Sequence, residues 1–552
     1  MGSEPEKGQP RLNFDTLRLI CNSITDVSDV LSFALTCSAL KADAFQRRLQ
    51  MSPVILSTGP EAVEKFYSFI MADAAARAPH IYGLRLPRLE FTNAIEMTTA
   101  DRLVAILQRA LHLKYLSLST AGPEEPQLLA AVVKLSTLQE LVLYCGYHES
   151  HYTKLLTTLR APLRHLHIKE ILQREMTASF VHNTLSHFAP TLESLELADF
   201  TLDMSPSSVT TPFSALRSLK STRIYDFDDL ALLLRLFPNL DHALVMEYLR
   251  PRSTDHPTIR ERSKEAQKVH AWRGLDHVVM GNTMQAFLFA LQCPIRVMDL
   301  DHTITRSEAE EYLVDVLRHN SPRQLRIILD VSGCDVAGLF PAEAADRLTH
   351  LFLCLSFQLE CRRGYEGRRD RQPWHQFLDT LVTSVKHLRL THLRILLLYN
   401  VLRERGPPPG DVDPDAVYFA RGEDLHDAGM SFFGKMPTLQ YIFLTTGGCT
   451  ILSTGARAAR RTPYESRWLT SKAWRITDAN ACESGRDLCP SSTELVGTYL
   501  ARVISNDEAE AIATREEMQL PGRSRERHIV AIFHEKDGNT TGGDGGVLQS
   551  DQ

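Results

Sequence analysis

The phrase LQELVL, residues 138–143, has close copies on both sides: LKYLSL at 113–118, LRHLHI at 163–168 and LESLEL at 192–197. Successive starts lie 25, 25 and 29 residues apart. Looser copies begin at Leu216 (LRSLKS), Leu240 (LDHALV), Ile295 (IRVMDL), Leu325 (LRIILD), Leu348 (LTHLFL), Leu393 (LRILLL) and Leu439 (LQYIFL). IYGLRL from Ile81 opens the series. Strand side chains alternate between two faces, so positions four and six of the phrase share one face. Positions three, five and seven share the other. Self-similarity at this period marks stacked units, each burying its apolar face against the next.

The segments between phrases carry helical periodicity. In DFDDLALLLRLF, residues 226–237, Leu230, Leu233, Leu234 and Phe237 fall on one helical face. Pro162, Pro190, Pro238, Pro294, Pro322 and Pro437 stand just ahead of phrases. Proline there stops a helix and forces an extended entry. Helix, proline, strand at this length resembles an irregular leucine-rich repeat solenoid, without the Asn or Cys usual at the ninth position. The resemblance implies an α/β fold class with a parallel concave sheet. The plainer alternative is an ordinary α/β domain with leucine-rich strands.

A different unit precedes the repeats. In residues 12–50, Phe14, Leu17, Ile20 and Ile24 space out one helical face, and Asp26 or Ser28 can cap a second helix carrying Val30, Leu31, Phe33 and Leu35. A third helix is expected from about Ser38 to Leu49. About forty residues bury too little surface to stand alone comfortably. The stretch resembles the F-box of fungal F-box proteins. Leu12 matches the leucine of its opening Leu-Pro, Asp15 its acidic residue, and Leu17 and Ile20 its first-helix apolar pair. Asp29-Val30-Leu31 match the start of its second helix, and Leu35-Thr36-Cys37 its Leu-Val-Cys. Asn13 replaces the usual proline and Leu40 the usual tryptophan, while MSPVIL at 51–56 also suits the family. An N-terminal helical cap of the solenoid is the alternative.

That resemblance implies a substrate-recognition subunit of a cullin–RING (SCF-type) ubiquitin ligase. Leu12, Leu17, Ile20, Val30, Leu31 and Leu35 would touch the Skp-family adaptor, which joins the chain to the cullin. The repeats would present an unknown substrate protein on their concave face, where the repeat register places Tyr144, His165, His167, Phe352, Tyr399, Tyr441 and Phe443. The C-terminal end of this face reads as an exposed apolar strip suited to a protein partner. A repeat scaffold without a ubiquitin role is the second reading.

Composition narrows the classes. The chain has 552 residues, 43% of them hydrophobic, and a net charge of −6. No global basic field favours nucleic acid or an anionic membrane. Ten cysteines occur without a CxxC pair, as in a reducing compartment. The start lacks the apolar core of a signal peptide. Glu6 stands where a myristoylation signal needs Ser or Thr. The charge-free run His277 to Ile295 contains Asn282, Gln285, Gln292 and Pro294 and reads as a buried helix. A cytoplasmic or nuclear location is expected. The expected divisions are a disordered start (1–11), the F-box-like unit (12–56), the repeats (57–450), an extension (451–535) and a flexible tail (536–552).

Several strings carry possible chemistry. VMDLDHTIT at 297–305 resembles the first motif of haloacid dehalogenase-type phosphatases, which would make Asp299 the nucleophile and Asp301 the acid and base. Ser332, Lys386, Glu423, Asp424 and Asp427 are candidates for its other parts. Repeat phrases run through this region, however, and His302 stands where an Asp-Gly pair is usual, so both aspartates read as solenoid surface. GMSFFGKM from Gly429 has phosphate-loop spacing with Lys435, but Met436 replaces the metal-holding hydroxyl. His165 and His167 share a face and lack a third metal ligand. Arg362, Arg363, Arg368, Arg369 and Arg371, and then Arg457, Arg460 and Arg461, form basic clusters able to receive anions. SNDEAEAIATREEM reads as an exposed helix. The expectation is a binding protein, not an enzyme, with no cofactor and no metal.

Overall fold

A computed structural model of the chain describes residues 13–36, 40–56, 60–86, 94–119, 126–144, 149–169, 176–320, 322–331, 336–361, 374–404, 422–453, 464–478, 493–496 and 499–519. Residues 1–241 with 250–252 form one compact unit, and residues 242–249 with 253–552 form another. Both are α/β, and each is built on strands that are mostly parallel.

The first unit begins with three helices, α1 (Phe14–Ser23), α2 (Val27–Thr36) and α3 (Lys41–Met51). Asn13 starts α1 by accepting the Asp15 N–H at 3.2 Å. Asp26 starts α2 by accepting the N–H groups of Ser28 at 2.7 Å and Asp29 at 3.1 Å. Such caps satisfy orphan donors and contribute about 1 kcal/mol each. Cys21, Val30, Ala34 and Ala44 form the shared core, flanked by Ile24, Phe33, Phe45 and Met51.

Strands β1 (Val54–Ile55), β2 (Gly83–Arg85), β3 (Tyr115–Ser119), β4 (Glu140–Tyr144), β5 (His165–Lys169), β6 (Met176–Thr177), β7 (Ser194–Thr201) and β8 (Ser218–Phe227) follow. All of their pairings are parallel, and β7 lies beside β5, β6 and β8. The register is that of the phrase: Leu116, Leu141, Leu166, Leu195 and Leu219 sit opposite one another and are fully buried. Burying each such leucine stabilises the stack by roughly 1.5–3 kcal/mol.

In the second unit β9 (Ala243–Pro251), β10 (Leu275–Met280), β11 (Ile295–Ile304), β12 (Gln324–Asp330), β13 (His350–Cys361), β14 (His392–Glu404) and β15 (Tyr441–Ser453) pair in parallel. The strand direction then reverses. Strand β16 (Tyr464–Asp478) runs antiparallel to β15, and β18 (Tyr499–Ile504) pairs antiparallel with β16 and with β17 (Thr493–Val496). A helix, Asn506–Arg515, completes the described chain.

Three phrases sit in a different register from the one expected. Leu325 pairs with Met298 and Leu351, and Leu351 pairs with Leu393. Leu325 and Leu393 therefore hold position four, three residues later than the phrase suggested. In LDHALV the shift is one residue, because Leu244 pairs with Val278. LTHLRILLL has leucines three apart at 390, 393 and 396, so the same pattern fits twice. LDHVVM from Leu275 is a further copy, hidden because Val278 and Met280 fill the leucine positions. The run His277 to Ile295 is not one buried helix: it holds most of β10 and the short helix Thr283–Phe289.

Candidate functional site: a sheet face and the helix that closes it

In the first unit, positions three, five and seven form polar rows. Glu140, His165, Ser194 and Ser218 lie side by side, as do Val142, His167, Glu196 and Lys220, and Tyr144 faces Lys169. His167 Nδ1 lies 2.6 Å from the Glu196 carboxylate, and Lys220 Nζ donates to it at 2.5 Å. Burial pushes the Glu196 carboxyl up, but its bonds to His167 and Lys220 outweigh that and hold it at about 2. Further along, Arg223 clamps Asp199 with two hydrogen bonds. Tyr144, His165 and His167 are half-buried on this face. His167 is engaged by Glu196 and lies 3.8 Å from Glu140, so its ring is one member of a charge ladder.

In the second unit, position three is held by His277, Val297, Gln324, His350, His392 and Tyr441, and position five by Asp299, Arg326, Phe352, Arg394 and Phe443. The His350 and His392 rings stack at 4.3 Å, and His392 stacks on Tyr441 at 4.9 Å. Burial pushes His392 down to about 4, with the neighbouring His350 adding to the effect, and burial lowers His350 as well.

The expected exposed strip at this end is closed by the chain's own C-terminal helix. Ala509 and Ile512 pack on Phe443, Ala473 and Ile504. Arg394 donates to Glu510 Oε1 at 2.8 Å and to the Met518 carbonyl at 3.2 Å, while Gln324 donates to the Glu517 carbonyl at 2.8 Å. Arg296 Nη2 reaches the Glu517 carboxylate at 3.0 Å. The helix ends in a Schellman turn. Glu517 adopts a left-handed φ of 52°, its N–H bonds the Thr514 carbonyl, and the Met518 N–H returns to Ala513 at 2.7 Å. The sequence pattern alone makes this helix an exposed one. Its polar face is exposed, but Ala509, Ile512, Ala513 and Met518 are buried.

Tyr399 is not on this face. The three-residue register shift turns it to the helix side, where it is 1% exposed and stacks on Phe357 at 4.7 Å. Ile395 and Leu397 point the same way, against Leu378 and Leu381 of the helix Trp374–Val385 and Leu425, Ala428 and Phe432 of the helix Gly422–Phe433. Phe352 and Phe443 do lie on the expected face but are buried, and Tyr441 is half-buried. Gly429 of the phosphate-loop string lies inside the second of these helices, with Phe432 and Phe433 buried.

Asp299 departs from the surface position expected for it, being 3% exposed. Arg326 donates to its Oδ2 at 3.3 Å, and its Oδ1 has no hydrogen-bond partner. Burial raises its carboxyl to about 7, against the pull of Arg326 and with help from Asp301. Leu300 pairs with Ile327 and Thr303 with Ile328, so Asp301 and His302 form a bulge in β11. Ser332, both arginine clusters and residues 520–552 lie outside the described residues.

On the N-terminal helices, Leu12 lies outside the described residues and Leu17 is half-buried. Ile20, Leu31 and Leu35 are 38%, 41% and 87% exposed. Val30 is fully buried in the helical core, so it is not available to touch a partner. Leu19 and Phe14, which the sequence pattern did not single out for contact, are 69% and 52% exposed. Sequence reasoning also missed His350, His392 and Glu516, whose ligand atoms lie within 4.8 Å of one another. The recurrence of Leu-Thr-His-Leu at 348–351 and 390–393 was the available signal for the two histidines. Among the described residues no helix is long and apolar enough to cross a membrane. No protein-family model matches the chain, and no curated protein matches it either.

Proposed function

We propose that the chain is a protein-recognition subunit that docks through its N-terminal helices on a Skp-family adaptor and so joins a cullin–RING ubiquitin ligase. The observation that supports this is the apolar surface of α1 and α2. Leu19, Ile20, Leu31 and Leu35 stay exposed beside a core of Cys21, Val30, Ala34 and Ala44. Large apolar groups left in water on so small a unit suit completion by another chain. The polar rows of the first unit, with Tyr144, His165 and His167, are the surface offered to a substrate protein. The mechanism is proximity: a tethered substrate meets a charged E2 at raised effective concentration.

The test is a binding titration of the intact chain with purified adaptor at micromolar concentration. Leu31→Ala with Leu35→Ala leaves the fold intact by circular dichroism and lowers affinity more than about tenfold, the equivalent of 1.4 kcal/mol. If the unaltered chain shows no binding under these conditions, the chain is a repeat scaffold with no ubiquitin role.

A further inference from the structure

We propose that His350, His392 and Glu516 form a binding site for a divalent transition metal, zinc by the chemistry of the donors, which latches the C-terminal turn onto the sheet face. The two histidines are register partners at position three of β13 and β14. Their rings lie nearly parallel, 8° apart.

Each Nδ1 lies against the hydroxyl of the threonine before it, so the two rings present the same edge. The Thr349 hydroxyl lies 3.2 Å from the Arg323 carbonyl and 2.8 Å from His350 Nδ1. The Thr391 hydroxyl lies 3.1 Å from the Thr349 carbonyl and 3.0 Å from His392 Nδ1. A hydroxyl has one proton to give, and a carbonyl can only accept. In the tautomer that suits a metal, each threonine donates to the carbonyl and accepts from an Nδ1–H. The neutral imidazoles then carry their lone pairs on Nε2.

The two imidazoles and the Glu516 carboxylate bring one ligand atom each to within 4.8 Å of one another. His350 Nε2 lies 3.5 Å from Glu516 Oε2. His392 is 7% exposed, and its Nε2 is buried without a hydrogen-bond partner. Arg515 donates to Glu516 Oε1 at 2.9 Å, which leaves Oε2 beside the imidazoles, and a cation can bridge it to their lone pairs. Two imidazole nitrogens and one carboxylate oxygen are a common zinc donor set, with bond lengths of about 2.0–2.2 Å. The paired threonines do what outer-shell partners of metal-bound histidines do, fixing tautomer and ring orientation. A pocket of about 160 Å3 opens beside His350 and Glu516, with Arg296, Arg323 and Arg515 in its wall. It leaves the fourth position to water or a small anion.

The test uses the full-length chain, stripped with chelator and titrated with Zn2+ and with Co2+ as a visible-light surrogate. The expected result is one saturable zinc per chain, d–d bands of a four- or five-coordinate Co2+, and slower amide exchange in residues 506–518 when metal is added. His392→Gln and Glu516→Gln lose that binding while circular dichroism stays unchanged. Thr391→Val, which keeps the ligand and removes its partner, weakens it by about 10–100-fold. No saturable binding to the unaltered chain overturns the proposal. So does binding that survives His392→Gln in a folded variant, because the metal is then held elsewhere.

Discussion

Arg394 and Glu510 are 116 residues apart in the chain, yet their side chains meet at 2.8 Å. Arg394 also lies over the Phe352 ring, 5.9 Å from its centre. One arginine thus ties the C-terminal helix to a row of the sheet that would otherwise show its aromatics. Ile512→Asp places a charge among Phe443, Ala473 and Ile504. It should cost about 3–5 kcal/mol in the docked state, enough to free the helix. Hydrogen exchange should then lose protection across residues 506–518 while residues 351–356 keep theirs, and binding of a hydrophobic dye should rise. Unchanged protection of the helix would mean that something else holds it down.

The sequence made the repeating strand legible because one phrase recurred with leucine at both core positions. Register was readable where the phrase was unique, as at Leu141 and Leu166, and failed where leucines came three apart, as in LTHLRILLL. The copy at Leu275 escaped because Val278 and Met280 fill the same volume without the same letter. The face of Tyr399 followed from the wrong register, since a shift by an odd number turns every side chain over. Closure of the second face could not be read at all. It depends on Glu510, Glu516 and Glu517 meeting residues more than one hundred positions away, and no local pattern encodes such a meeting.

The ladder on the first unit has a definite acid signature. Glu196 is held at about 2 in the folded chain, against an ordinary 4.5. Its contribution is present above the unfolded value and is lost as pH falls from about 4.5 toward 2. The shift corresponds to up to about 3 kcal/mol. Urea unfolding of Glu196→Gln and the unaltered chain should differ by that order at pH 7, and the gap should shrink near pH 2.5. A gap of equal size at both values would show that the charge of Glu196 is not what the ladder uses.

Gly281 follows β10, and its N–H donates to the Met246 carbonyl at 2.7 Å. A Cβ there would sit 1.6 Å from the Glu247 carbonyl oxygen. Both partners are backbone, so no side chain can swing away. Gly281→Ala should destabilise by at least about 2–3 kcal/mol, the upper range for overpacking. Gly274→Ala, whose nearest neighbour would be the Pro294 carbonyl at 3.4 Å, should change stability by no more than about 1 kcal/mol. Thermal melts of the two variants side by side separate close approach from the general effect of losing a glycine. Equal melting temperatures would refute the close approach.

Asp299 bears on whether the Asp-x-Asp string can be a nucleophile, and its pH behaviour runs opposite to that of Glu196. Its carboxyl is raised to about 7 from an ordinary 3.8, because burial outweighs the attraction of Arg326. In the unfolded chain the group ionises near 3.8, so above that pH unfolding gains a free energy that the folded state cannot match. The stabilising contribution is complete below about 3.8, declines as pH rises to about 7, and is flat beyond. A single group of this kind gives a slope of up to about 1.4 kcal/mol per pH unit between those limits. Asp299→Asn cannot ionise, so it should remove that slope: relative to the unaltered chain, the variant should gain stability steadily from pH 4 to 7. A carboxyl largely protonated below pH 7 and bonded to Arg326 is a poor attacking group, and the same variant tests this directly. Phosphatase activity with magnesium that disappears in Asp299→Asn, together with an unchanged stability slope, would reverse the assignment and make Asp299 an ionised nucleophile.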